Sequence, residues 1–110
     1  MANIIGRFYF KKTKSGNLIG EFSNNELHKN YTESAVWKEG EDKNQFEGKY
    51  ITCWFEEADK EAVKMDLCII SIKTDSFSLK WTDDGIDKFY GEGFIVDDIL
   101  IGDYINFDSI

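Results

Sequence analysis

The chain has 110 residues and a mass of 12.7 kDa, the usual size of one domain and too short for two. Hydrophobic residues make up 42% and charged residues 31%, a balance that builds a core and excludes a disordered chain. Twenty-one acids against 13 bases leave a net charge of −8, which argues against nucleic acid and anionic membrane as partners, since both need a basic footprint. Apolar and polar residues then alternate in short runs, each ending in a turn signal, and the pattern predicts eight strands. They run over about Ile4–Lys11, Asn17–Ser23, Tyr31–Lys38, Phe46–Glu56, Val63–Lys73, Phe77–Thr82, Asp87–Val96 and Leu100–Phe107. The punctuation is Ser15-Gly16-Asn17, Glu39-Gly40-Glu41, Asp59-Lys60, Thr74-Asp75, Asp83-Asp84-Gly85 and Asp97-Asp98, residue types that suit positive φ and Asx turns. The spacing leaves no room for helical crossovers. The expectation is an all-β, antiparallel up-and-down meander occupying residues 1–110 as a single barrel domain, with a β-sandwich as the rival. Two short stretches compete as helices: Ser23–Asn30 as one capped turn, and Glu56–Ala62, which reads better as a charged hairpin connection.

Glycines and aromatics recur at short spacing in the second half. Tyr50 and Trp54 share one strand face, as do Leu79 and Trp81, and as do Leu100, Gly102 and Tyr104. A missing side chain opposite a large ring lets a sheet bend around a tapered interior. Tyr50, Trp54, Trp81 and Tyr104 are therefore the candidate ligand-binding residues, with Gly48 and Gly102 leaving space beside them. Several strands are apolar on both faces. Ile51, Cys53 and Phe55 oppose Tyr50 and Trp54, and Cys68, Ile70 and Ile72 oppose Leu67 and Ile69, so the second face needs a cover. The 23–30 segment, a second sheet or a homodimer partner can supply it. Charge is segregated as well: residues 1–20 hold Arg7, Lys11, Lys12 and Lys14 and no acid, whereas residues 81–110 hold eight acids against Lys88. First and last strands attract each other if they pair to close the barrel.

The series Gly48-Lys49-Tyr50, Ser78-Leu79-Lys80-Trp81 and Leu100-Ile101-Gly102-Asp103-Tyr104 resembles the small eight-stranded meander barrels of the calycin group, which includes lipocalins and avidins. Ser15-Gly16-Asn17-Leu18-Ile19-Gly20-Glu21-Phe22 is similar to the Gly-x-Leu-x-Gly-x-aromatic strand of avidin-like proteins, and Gly6-Arg7-Phe8 loosely matches the lipocalin Gly-x-Trp. The polar biotin-site residues of avidins have no counterpart, so the resemblance implies a calycin-like architecture and a lean towards holding a small molecule, and no biotin.

Conventional chemistry finds little support. Cys53 and Cys68 lie 15 apart, which is neither a redox nor a zinc spacing, and are expected as free buried thiols on neighbouring strands. His28 is the sole histidine, on a polar segment with no nucleophile in recognisable relation to it. Glu56 and Glu92, each on an aromatic strand, are the candidates for an acid and base facing each other across a barrel. Asp83–Asp87 lacks the alternating acids of a calcium loop, and Gly91-Glu92-Gly93 precedes no helix, so neither a metal nor a phosphate cofactor is expected. No apolar run approaches a membrane span, and Met1–Arg7 has no basic segment followed by an apolar one, so a cytoplasmic protein is expected. Two functions remain. The first is a non-catalytic binding protein holding a small apolar or planar ligand in the aromatic barrel. The alternative is an acidic interaction protein masking a basic protein partner, such as an immunity protein or a nucleic-acid-mimicking inhibitor. A hollow of ~300 Å³ favours the first, and a filled barrel with an acidic face favours the second.

Overall fold

The architecture was obtained as a computed structural model, which describes residues 3–55 and 61–109. Eight strands follow one another: β1 (Ile5–Lys12), β2 (Leu18–Asn24), β3 (Tyr31–Glu39), β4 (Gly48–Trp54), β5 (Val63–Lys73), β6 (Ser76–Asp83), β7 (Ile86–Val96) and β8 (Ile99–Asn106), with a single 3₁₀ turn at Phe107–Ser109. Each pairs antiparallel with the next, and β8 returns to pair with β1, so the sheet closes as an up-and-down barrel in the order β1 to β8. The sandwich alternative is excluded. Closure leaves no unpaired edge, the usual liability of a small sheet. It also sets Arg7 opposite Asp103, joining the basic first strand to the acidic last one.

Local chemistry explains the turns. Asp97 and Asp98 both take positive φ (51° and 66°), as do Asp84 and Gly85 (51° and 83°), so β7–β8 and β6–β7 are joined by two-residue turns whose twist matches the strands. The Ser23–Asn30 stretch forms no helix: Ser23 and Asn24 finish β2, and a turn and a bend follow, because Asn24 and Asn25 spend their side chains on the backbone at Glu26 and Ile5. The expected connection over Glu56–Ala62 falls largely outside the described residues.

Alternation along each strand fills the interior. Phe10, Leu18, Ala35, Tyr50, Thr52, Leu67, Ile69, Leu79 and Leu100 are each at most 1% exposed, and the six side chains expected inside (Tyr50, Trp54, Leu79, Trp81, Leu100 and Tyr104) are all buried. Two inward glycines make the tight curvature affordable in space. Gly20 faces Phe10 and Gly102 faces Phe8 across their ladders. A Cβ at Gly20 would lie 1.8 Å from the Tyr9 carbonyl oxygen, and one at Gly102 would lie 2.0 Å from that of Glu92. The neighbouring backbones thus pass where a side chain would sit, and the opposing ring covers the gap.

The doubly apolar strands are seen as expected, with Ile51, Phe55, Ile70 and Ile72 on the outer face at 41–56% exposure. They do not form one patch. Ile51 pairs with Val36 and Asp66, whereas Ile70 pairs with Ser78, and exposed Lys49, Asp66 and Lys80 stand among them. The 23–30 segment does not cover them either; its Leu27 packs against the core instead.

Candidate functional site

Seven residues from seven strands line a small cavity inside the barrel. Phe8, Phe22, Glu33, Trp54, Trp81, Phe89 and Tyr104 surround a half-enclosed space of about 20 Å³ at the end that carries both termini. That is room for one water-sized group, which needs roughly 10–15 Å³. The rings form a continuous wall. Phe8 meets Trp81 at 5.7 Å, Trp81 meets Tyr104 at 5.8 Å, Tyr104 meets Phe89 at 5.7 Å, and Phe22 meets Trp54 at 5.4 Å between centroids.

Glu33 is the one acid in this wall and is 3% exposed. Inward alternation on β3 puts it on the same face as Ala35 and Trp37. Its Oε2 accepts a hydrogen bond from the Thr52 hydroxyl at 2.5 Å and another from the Trp81 indole N–H at 2.9 Å. Burial pushes its pKa up to about 7, and the two hydrogen bonds pull the other way without cancelling that cost. The carboxyl therefore changes charge near neutrality inside an aromatic chamber.

The opposite end is plugged by the chain itself. The Lys12 ammonium donates to the Tyr50 hydroxyl at 2.6 Å and to the Gly16 carbonyl at 2.9 Å, and it sits 4.8 Å and 5.0 Å from the ring centroids of Tyr50 and Trp37. The Tyr50 hydroxyl in turn donates to the Phe46 carbonyl at 2.7 Å. Burial lowers the Lys12 pKa to about 8 and raises that of Tyr50 well above its ordinary value.

Of the four residues expected to bind, Trp54, Trp81 and Tyr104 are brought together and Tyr50 is not; it belongs to the Lys12 plug at the other end. The expected free space beside Gly48 and Gly102 is occupied, by the Trp37 ring in one case and by the β7 backbone in the other. Glu92 points outward, where it accepts a hydrogen bond from Tyr90 at 2.7 Å, so it faces nothing across the barrel; Glu56 lies outside the described residues. Glu33 was overlooked, together with Phe8, Phe22 and Phe89. The signal for it was present in the alternation Tyr31-x-Glu33-x-Ala35-x-Trp37, which sets a carboxyl among apolar neighbours on one face.

Elsewhere the surface offers less. Cys53 and Cys68 are free thiols, half-buried on the outer face and not fully buried as expected; the register pairs them with Lys64 and Lys49, not with each other. His28 is exposed. Among the described residues no three His, Cys, Asp or Glu side chains gather as a metal-binding group, and no helix is long and apolar enough to cross a membrane. A broad outer depression of about 710 Å³ runs over β1, β2, β7 and β8 and includes Tyr9, Lys11, Phe94 and Ile101, but it is open to solvent along its length. The comparisons with known proteins found no matching family model, no matching curated protein and no matching solved structure.

Proposed function

We propose that this protein is a non-catalytic binding module whose site is the aromatic chamber around Glu33. One observation carries the reading: six rings and a single buried carboxyl converge on a cavity inside the barrel. Trp and Tyr combine apolar area with a polar tip, which suits a pocket that needs shape and one hydrogen bond. The size of the space limits the occupant. Pockets for whole drug-sized ligands run to roughly 300 Å³ or more, so this chamber takes a small head group and leaves the rest of the ligand at the barrel's mouth. Catalysis is not part of the reading, because among the described residues the lining holds one acid and no Ser, Cys, Lys or His. The up-and-down closure is compatible with the calycin resemblance, from which the reading takes only its lean towards a small ligand. Free Cys53 and Cys68 suit a reducing, cytoplasmic setting.

Tryptophan fluorescence during titration with small apolar and planar compounds tests the proposal. A saturable change is expected in the wild type, lost in Trp54→Ala and Trp81→Ala and retained in Tyr50→Phe at the far end. Absence of any saturable change in the wild type sinks it. A second reading, an acidic protein that masks a basic partner, draws support from the acids around the chamber's mouth. Among the described residues at that end, Glu26, Glu61 and Asp84 in the connections, Asp83 at the end of β6 and Asp108 in the 3₁₀ turn are exposed, against Lys29.

A further inference from the structure

The two ends of the barrel are built from the same materials with one difference. At the closed end a cation supplied by the chain, Lys12, lies over Trp37 and Tyr50 and satisfies the polar groups there. At the other end aromatic rings surround a carboxyl, and among the described residues no Lys, Arg or His lines the space. A carboxylate held away from water is costly unless a cation pairs with it, and the faces of Trp81, Trp54 and Tyr104 attract positive charge on their own account. The free space there matches a group the size of one water, which is also the size of an –NH₃⁺ head and too small for a quaternary ammonium. Exposed acids in the connections around the mouth give the approach a negative potential.

We propose that the chamber around Glu33 takes the head group of a primary alkylammonium ion, with the alkyl stem running out past the rings to the mouth. This rests on the chamber being the binding site, and it names the class of ligand. The ammonium donates hydrogen bonds to the Glu33 carboxylate while Thr52 and Trp81 continue to hold Oε2. Among the described residues, the elements packed around Glu33 supply no competing charge. Thr52 and Trp54 come from β4, Phe22 from β2, Phe8 from β1, Trp81 from β6, and from β7 and β8 Phe89 and Tyr104, whose phenol is the one ionisable group in this set. Binding therefore requires the ionised form of Glu33 and strengthens as pH rises through about 7.

The test is calorimetric titration of the full chain with n-butylammonium, 1-butanol and tetramethylammonium at pH 5.5 and pH 8. Saturable binding of butylammonium is expected at pH 8, weaker by about thirtyfold at pH 5.5, where few Glu33 carboxyls are ionised. Butanol should bind more weakly than the amine, and tetramethylammonium should not compete. Glu33→Gln should abolish amine binding while far-UV circular dichroism stays unchanged; if that variant does not fold, the pH series on the wild type still decides. A lysine amide that binds as tightly as butylammonium identifies protein side chains as a source of the ligand, and one that does not bind leaves free amines. Butanol binding as tightly as the amine, with no pH dependence, overturns the ammonium assignment and leaves the chamber as an apolar site. No saturable binding of any probe, polar or apolar, overturns both.

Discussion

Glu33 shows how one side chain ties stability to pH. Its folded pKa of about 7 lies above the ordinary 4.5, so between these values the native state holds a proton that the unfolded chain has released. Stability from this group is complete below pH 4.5 and is lost as pH rises through 7, a change of about 3 kcal/mol. Glu33→Gln keeps an oxygen for Thr52 and Trp81 and removes the titration. Denaturant melts from pH 5 to 8 should show the wild type losing stability relative to this variant; a constant difference between the two would mean that Glu33 is not held in a desolvated site. The same residue marks the limit of legibility. Period-two alternation puts Trp54, Trp81 and Tyr104 inside correctly, but inward orientation is a property of the strand and says nothing about height along the barrel axis. Tyr50 points inward as well and ends up beside Lys12, because strand tilt and register assign it to the opposite end. A glutamate inside a barrel runs against the ordinary preference of carboxylates for the surface, so only the facing Thr52 and Trp81, from separate strands, account for its place.

At the scale of elements, the turns and inward glycines carry the fold, and their chemistry was visible before any coordinates. All eight strands were legible: β5 has the expected ends, β4 is shorter than expected, and β6 is longer because turn residues continue the ladder, Ser76 and Asp83 still pairing with Phe94 and Ile86. The role of the glycines was legible in part. They were expected to let the sheet bend around rings, as Gly20 and Gly102 do, but the room expected for a ligand beside Gly48 and Gly102 is taken by the Trp37 ring and by neighbouring backbone. Gly102→Ala should therefore cost about 3 kcal/mol or prevent folding, since its Cβ meets the Glu92 carbonyl carried on a paired strand. Gly85→Ala is the control: nothing lies within 4 Å of its Cβ, and only the positive φ of 83° opposes it, at about 1 kcal/mol. Equal losses in thermal melts would show that curvature does not depend on backbone contact at Gly102. In the β7–β8 turn the change goes the other way. Asp98 holds φ at 66° without the freedom of glycine, so Asp98→Gly should stabilise by about 0.5–1 kcal/mol and raise the melting temperature.

For the whole molecule, closing β8 onto β1 decides which outer surface is available for assembly. The ladders place Phe94 beside Ile101 and Ile101 beside Tyr9 on the outer face, with Val96 beside Ile99 in the next row. Phe94, Val96 and Ile101 are 54%, 42% and 38% exposed, and the row continues to Glu21 of β2. This stripe is continuous where the Ile51 and Ile70 surface is broken by charge, and closure of the barrel extends it from the β7–β8 hairpin to Tyr9 of β1, about 90 positions away in the chain. Its flanks are self-complementary. Arg7 and Lys11 project from β1, and Glu21, Glu92 and Asp103 project from the neighbouring strands, so a twofold-related copy can set bases over acids while Phe94 enters the depression beside Tyr9 and Ile101. The expected outcome in sedimentation equilibrium is a concentration-dependent approach to twice 12.7 kDa. Ile101→Lys should hold the protein at monomer mass, and Ile70→Lys, on the interrupted surface, should leave association unchanged. Raised salt should weaken it modestly, since exposed pairs contribute little next to the apolar area. A monomer at all concentrations would mean that the stripe stays in water, whereas dissociation by Ile70→Lys alone would return the interface to β4 and β5.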